Sequence, residues 1–530
     1  MPNFAAHHLT RALAATALTF AAATATAQAP ATPHVFFRVT LAPSAPGPVS
    51  GRLLVFLKKG TGDKEVNIQE FHPADTFVAA QEVHDLAPGA SVEIDADTVS
   101  YPKPFSTLSA GTYEVQAVLD PDHTYNYLGR SPSDWISPVL PLANWTPGSS
   151  EPTLTLDSHP VDNPQRAPAI AEAHAQLKPG IIEAQQMLSP LLTRFSGNPT
   201  LLRAWVTLPP GYEKDPTAHY PTVYFTHGFG GTFDYSLLQA VAIRARMVAG
   251  TMPPMIWVML DESCPQGTHE FADSVNNGPW GTALTTEFIP MLEQKYRMDA
   301  KPSGRFLNGH SSGGWATLQL QINFPQVFGG TWSTSPDPSD FHNFTGPDLY
   351  APHANVFHRP DGTPFPIMRV DGKVVATLEQ FTKIEAVLGP YGGQITSFEW
   401  VFSPRSKSGA PKPMFDHVTG DVDPTVVAYW HDHYDLAHLV EEKWPTQAAL
   451  LKGRIHLFVG TADTFYLDGA AHLFDARLAK LGADAHFTYI PDRSHFDLYR
   501  VGTDQRGLFD QIATEMYAVA RPGVTWKKPN

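Results

Sequence analysis

The stretch from Arg305 to Trp315, RFLNGHSSGGW, decides the reading of this chain. An apolar run enters a turn crowded with Gly, Ser and His, and an apolar, helix-like segment, WATLQLQINF, follows. Ser311 stands at the centre of Gly309-His310-Ser311-Ser312-Gly313, a G-x-S-x-G pattern. With 39 Gly in 530 residues, roughly 0.2 such matches arise by chance, so the five residues alone do not separate a nucleophile from a Gly-rich turn. Their place at the end of a strand and the start of a helix does. A sharp strand-to-helix turn leaves no room for neighbouring side chains, hence the flanking glycines. It presents the Ser311 hydroxyl at the carboxyl edge of a sheet and aims the Ser312 N–H and the helix N-terminus at a developing oxyanion.

A serine hydroxyl is a poor nucleophile at neutral pH and needs a base, which in turn needs an acid to hold its tautomer. In an open α/β sheet of this kind the order along the chain is Ser, then Asp or Glu, then His. RIHLFVGTADTFYLD places Asp463 just past a strand, and AHFTYIPDRSHFDLY places His495 in the loop after the last strand. The competing bases are His472, on a helical segment, and His486, within a strand; the competing acids are Asp468 and Asp497. An Asp after a strand also serves as a helix cap, the alternative role for Asp463. The second half of an oxyanion hole comes from TVYFTHGFGGTFD, where His227-Gly228-Phe229-Gly230-Gly231 follows an apolar run. There the Phe229 N–H, or alternatively that of Gly230, pairs with the Ser312 N–H.

The rest of the chain sets the frame. At 530 residues it exceeds what one core usually organises, and 42% hydrophobic against 17% charged residues excludes a disordered chain. A net charge of −15, with no basic run carrying interleaved aromatics, argues against nucleic acid as a partner. MPNFAAHHLTRALAATALTFAAATATAQAP carries one basic residue, Arg11, an apolar segment and small residues suited to cleavage after Ala27. Residues 1–27 thus read as an export signal, which implies a periplasmic or extracellular protein. No later apolar run reaches the ~20 residues of a membrane span. The single cysteine, Cys264, can form no disulfide within the chain and reads as an incidental free thiol.

Residues 30–157 read as a β-sandwich of short strands: HVFFRVTL, GRLLVFL, ASVEIDA, GTYEVQAVLD and PTLTLD. Residues 158–188 read as a connector that turns helical, with AIAEAHAQL and IIEAQQML as its helices. From 189 to 525 buried strands alternate with helices: RAWVTLP, TVYFTHG, MIWVMLD, RFLNGHS, GGTWSTS, RIHLFVG and AHFTYIP. The expected fold class is α/β, a mostly parallel sheet with helices on both faces, preceded by an all-β domain. Residues 338–450, rich in Pro, Gly and aromatics, are too long for an ordinary connection and read as a lid-like insertion over the site.

These residues together resemble the α/β-hydrolase fold. Within it they resemble the esterase family that includes S-formylglutathione hydrolase, enterochelin esterases, feruloyl and acetyl-xylan esterases, and mycolyltransferases. The likeness rests on LLRAWVTLPPGYEKDPTAHYPTVYFTHGFGG, TEFIPMLEQKY, GHSSGGW and the surroundings of Asp463 and His495, and covers residues 189–521. The insertion and the β-rich N-terminal region depart from the family pattern. The resemblance implies acyl transfer through an ester on Ser311, with His495 as base, Asp463 as its orienter and no metal or organic cofactor. The expected substrate is a small or carbohydrate-linked ester, such as a feruloyl or acetyl-sugar ester. An acyltransferase would use the same triad, and a non-catalytic binding protein on this scaffold would be expected to lack a member of it.

Other features fit plainer roles. In DESCPQGTHEFADSVNNGPWG, the residues Glu262, His269, Asn277 and Trp280 are candidates for the pocket wall, with Trp280 the preferred substrate contact as an aromatic platform. HDHYDLAH gathers His431, Asp432, His433, Asp435 and His438, but without a zinc spacing it reads as a polar helix face. Asn144 and Asn343 sit in glycosylation sequons, which carry little weight behind a bacterial-looking signal.

Overall fold

TVYFT, Thr222–Thr226, is buried at every position, and so are Ile256–Leu260 and Gly330–Thr334. Runs buried on both faces belong in the middle of a sheet that helices cover on each side. The computed structural model describes residues 34–69, 71–126, 129–160, 167–524 and 526. The proposed signal, 1–27, lies outside them, and His34–Asn530 forms one compact unit. Among the described residues no helix is long and apolar enough to cross a membrane.

The central sheet has eight strands. Their spatial order is Ile182–Leu188, Leu201–Thr207, Ile256–Leu260, Thr222–Thr226, Arg305–His310, Gly330–Thr334, Ile455–Gly460 and His486–Ile490. Leu201–Thr207 runs antiparallel to both neighbours, and the remaining pairings are parallel. All seven strands expected after residue 200 are present. On one face Val223, Phe225, Trp257, Phe306 and Trp332 pack under the helices Phe233–Val248 and Gly507–Ala520. On the other Tyr224, Val258 and Leu307 meet Leu292 and Leu320. Each such fully buried large side chain contributes about 1.5–3 kcal/mol through area removed from water.

One expectation is corrected. IIEAQQML is not a helix: Ile182–Leu188 pairs antiparallel with Leu201–Thr207, residue for residue, as the edge strand. Pairing with an open sheet edge outweighs the modest helix preference of Glu, Gln and Ala, so the sheet starts ahead of residue 189. AIAEAHAQL is helical as expected, over Ala167–Ala175. Residues 338–450 fold into the hairpin Pro366–Val370/Lys373–Thr377 and the helices Leu378–Leu388, Gln394–Phe402, Pro424–Tyr434 and Leu436–Leu451, the last running one residue past the segment. Capping explains their starts: Thr377 and Gln380 form a reciprocal capping box, and Asp423 caps a helix with Pro424 in its first turn. Trp315 of the helix after Ser311 packs on Phe402, with ring centroids 4.7 Å apart.

The N-terminal strands form two sheets. The smaller is Ser91–Asp95, Phe36–Leu41 and Thr153–Leu156; the larger contains Thr76–Leu86, Val49–Lys59 and Gly111–Asp120. Phe37, Val39, Val55, Leu57, Val115 and Leu154 fill the space between them. The sequence GRLLVFL lacks strict alternation because its strand has two dry faces. Leu53, Val55 and Leu57 face the inner core, while Leu54 and Phe56 join Phe381, Ile384 and Leu388 of the insertion. Arg52 donates to the Val387 carbonyl at 2.8 Å, placing a cation at that helix's C-terminus.

Candidate active site

The strand registers bring the loops together. Thr226 lies opposite Gly309, His310 opposite Thr334, and Gly460 opposite Ile490. His227–Gly231 and the turn at Ser311 therefore leave adjacent strands at the same edge, and Asp463 and His495 follow the last two strands there. Ligands collect at this carboxyl edge where strand order reverses.

Ser311 has φ 60° and ψ −126°, a left-handed conformation that a serine adopts only under constraint. Its N–H donates to the Thr334 carbonyl at 3.0 Å, and its own carbonyl accepts from Trp315 and Asp337 N–H at 3.0 and 3.2 Å. The glycines act as expected. A Cβ on Gly309 would run into the Gly313 carbonyl, one on Gly313 into the His227 carbonyl, and one on Gly228 would stand 2.9 Å from the Ser311 Cβ.

His495 Nδ1 lies 3.0 Å from Asp463 Oδ2, both residues being buried. An Nδ1–H donated to Asp463 leaves Nε2 as the basic nitrogen. Burial pushes the Asp463 carboxyl upward, but the charge and hydrogen bond of His495, with the Phe465 N–H at 2.9 Å, outweigh it and hold the group below its ordinary value. His310 stacks beside His495 at 4.4 Å between ring centroids, and burial lowers it to about 3, so it stays neutral. Among the described residues the Ser311 hydroxyl makes no hydrogen bond to His495; such bonds often tighten only when substrate arrives.

The Ser312 N–H opens the helix Ser312–Asn323, so it belongs to the first turn, whose donors lack intrahelical acceptors. Phe229 and Gly230 line a cavity of about 670 Å³, and Gly230 has φ 75°, which turns the loop back so that Gly231 N–H bonds the Gly228 carbonyl at 3.0 Å. A second cavity, about 920 Å³, is lined by the residues on each side of Asp463 and of His495: Ala462, Thr464, Ser494 and Phe496.

The alternative bases and acids are engaged elsewhere. His472 stacks on Tyr489 at 4.0 Å, His486 on His456 at 4.7 Å. Asp468 pairs with Arg369 at 3.0 Å, and Asp497 accepts the Ser494 N–H at 2.7 Å within the His495 loop.

Trp280 is a correction. Its indole stacks on His269 at 3.6 Å between centroids, donates to the Asn277 carbonyl at 2.8 Å and is only 8% exposed. It completes a core beneath the sheet edge and offers no open platform. Burial likewise lowers His269 to about 3 and raises the Cys264 thiol to about 12, which favours its un-ionised form. HDHYDLAH is broken by Asp435, which caps the following helix, so His438 folds back to stack on His431 at 3.8 Å. One donor atom each from His431, Asp432 and His438 lie within 4.8 Å of one another, at a partly exposed spot. Thr345 of the Asn343 sequon is buried.

Of three buried acids near the site, Asp337 and Glu270 escape the sequence reading, and Glu262 enters it only as pocket wall. Asp337 accepts the Ser312 hydroxyl at 2.6 Å, and burial raises its carboxyl to about 6. Glu262 and Glu270 are fully buried, their carboxylate oxygens accept no hydrogen bond among the described residues, Glu262 Oε1 stands 3.9 Å from His227 Nδ1, and burial raises both well above the ordinary value. Asp337 stands three residues past a strand, as Asp463 does. Arg369 of the insertion was also missed: its Nε donates to the Asp463 carbonyl at 2.8 Å.

The model of the family described as "Putative esterase" matches residues 200–481. Two curated relatives from Mycobacterium tuberculosis strains, Esterase Rv1288 and Esterase MT1326, are 27% identical over 198 residues, covering 32% of this chain and 41% of theirs. The chain thus spans about two fifths of the length of these relatives. Similar solved structures include a fluorophosphonate-binding serine hydrolase of Staphylococcus aureus, with TM-score 0.39 and 13% identity over 65% of this chain and 100% of that one. An S-formylglutathione hydrolase from Agrobacterium tumefaciens has TM-score 0.34 and 15% identity over 63% of this chain and 94% of that one.

Proposed function

We propose that this chain, which belongs to the esterase family whose model matches residues 200–481, hydrolyses small carboxylic esters through an acyl intermediate on Ser311. The observation that carries the reading is the His495–Asp463 pair at 3.0 Å, following strands of the same sheet edge as a serine held in a strained turn. In the first step Ser311 Oγ attacks the ester carbonyl carbon while its proton passes to His495 Nε2. The carbonyl oxygen becomes an oxyanion facing the N–H groups of Ser312 and Phe229, with Gly230 the alternative donor. Each such donor is worth about 2.7–4 kcal/mol in the transition state. Collapse breaks the bond to the alcohol oxygen, which leaves with the proton from His495. Water then attacks the acyl carbon and gives a proton to His495; collapse breaks the bond to Ser311 Oγ, which takes that proton back as the acid leaves.

Asp463 fixes the imidazole and balances its charge while it carries the proton. The chemistry needs no cofactor. An alcohol in place of water would give acyl transfer with the same groups. Export is part of the proposal and rests on the composition of residues 1–27; sequencing the mature N-terminus tests it, with Gln28 as the expected first residue.

Turnover of a panel of acetyl, butyryl, feruloyl and acetyl-sugar esters by wild type and Ser311→Ala tests the reading. The wild type should hydrolyse at least one, and Ser311→Ala should lose about a thousandfold or more. Undiminished hydrolysis by Ser311→Ala refutes the nucleophile. Added alcohol that appears in the product identifies transfer.

A further inference from the structure

The cavity of about 920 Å³ is built from three separate parts of the chain. Ala462, Thr464, Ser494 and Phe496 come from the acid and base loops, Arg369 to Val375 from the insertion hairpin, and Phe71 and His72 from the turn before strand Thr76–Leu86 of the N-terminal sandwich. A chain of aromatic rings links the base to Phe496 and Phe71 in its wall. Phe465 meets the His495 ring edge-on at 4.9 Å, Phe496 meets Phe465 at 5.9 Å, and Phe71 meets Phe496 edge-on at 5.6 Å. Phe496 remains 63% exposed despite these contacts. A large exposed aromatic in a concave site, next to the base, is a surface that a ligand covers.

The chemistry says which part of the ester goes there. His495 must return its proton to the leaving oxygen, so the alcohol has to depart on the side of the imidazole. The oxyanion loop, Phe229–Gly231, lines the other cavity, of about 670 Å³. We propose, resting on the esterase reading above, that Phe71 and Phe496 form the subsite for the leaving alcohol, and that this subsite takes bulky alcohols with an apolar face, aryl or alkyl. The N-terminal sandwich then determines specificity by supplying Phe71 to the catalytic cleft. The polar groups at its rim, Arg369, Lys373 and Asp492 among them, allow the alcohol's far end to be hydrated or hydrogen-bonded.

The test compares kcat/KM for methyl, butyl and benzyl acetates in wild type, Phe71→Ala, Phe71→Tyr and Phe496→Ala. The benzyl-to-methyl ratio should fall about tenfold in both alanine variants, through KM, and stay within about twofold in Phe71→Tyr. Because Phe496 is largely exposed, its removal keeps the test open even where Phe71→Ala fails to fold. An unchanged ratio in Phe496→Ala, or a drop that follows the acyl group in methyl acetate, butyrate and benzoate instead, overturns the subsite. Fluorescence titration of 2-naphthol into Ser311→Ala, with and without Phe496→Ala, reads the same cavity without turnover. The expected Kd rises about tenfold with Phe496→Ala; no binding to Ser311→Ala, or an unchanged Kd, overturns the proposal. Hydrolysis that survives in Ser311→Ala would instead strike the Ser311 mechanism and leave the naphthol result to decide on the cavity.

Discussion

Asp463 holds the His495 imidazole by a 3.0 Å contact to Nδ1, and its other oxygen accepts the Phe465 N–H at 2.9 Å. The Asp463 carboxylate is thus held by its own loop as well as by the imidazole. Asp463→Asn keeps the shape but offers an amide that favours the wrong imidazole tautomer. Its kcat is expected to fall on the order of 10³–10⁴-fold with KM little changed. A loss of less than tenfold, measured under saturating ester, would move the acid role elsewhere.

Gly309 and Gly228 test the turn. A Cβ at Gly309 meets backbone oxygen, which cannot yield as a flexible side chain does. Gly309→Ala is expected to destabilise by about 1–3 kcal/mol in urea unfolding and to abolish most turnover. Gly228→Ala crowds Ser311 at 2.9 Å and is expected to lower kcat more than stability.

The sequence made some of this visible and hid the rest for physical reasons. Strands such as IWVML are legible because both faces are dry. IIEAQQML was misread because an edge strand with polar residues carries little period, and the sheet edge that recruits it is distant in sequence. The insertion's helices hid among Pro and Gly, their apolar faces spent on Phe341, Phe402 and Trp430 of one another rather than on a recognisable partner. The pairing of Asp463 with His495, at the sheet edge that carries Ser311, is legible through order and position. Asp337 satisfied the same positional rule as Asp463, and only the fold shows that it faces Ser312 while Asp463 faces His495. Trp280 was misplaced because composition cannot tell an aromatic wall from an aromatic core.

Asp337 gives a pH prediction. Its carboxyl has an ordinary value of 3.8 and about 6 in the folded protein, where burial opposes its ionisation beside Glu262 and Glu270. Between these values the folded protein keeps a proton that the unfolded chain has released, so raising pH through this window removes stability. Asp337→Asn does not titrate. The Tm difference, variant minus wild type, is expected to rise from about pH 4 to about pH 7. A flat or falling difference contradicts the raised value.

Arg369 ties the insertion to the acid loop, donating to the Asp463 carbonyl at 2.8 Å and pairing with Asp468 at 3.0 Å. Arg369→Ala is expected to lower kcat about tenfold or more by loosening Asp463. Arg369→Lys, which keeps the charge but cannot fork to both partners, should restore only part of it. Equal rates in all three proteins would free the insertion from any part in positioning.

The central claim is that Ser311 carries the acyl group, and intact-protein mass measurement with peptide mapping tests it most directly. Brief exposure to a reactive ester, quenched in acid, should add one acyl mass to the wild type, on the peptide containing Ser311, and none to Ser311→Ala. Acylation of a different residue, or equal labelling of Ser311→Ala, would contradict the account.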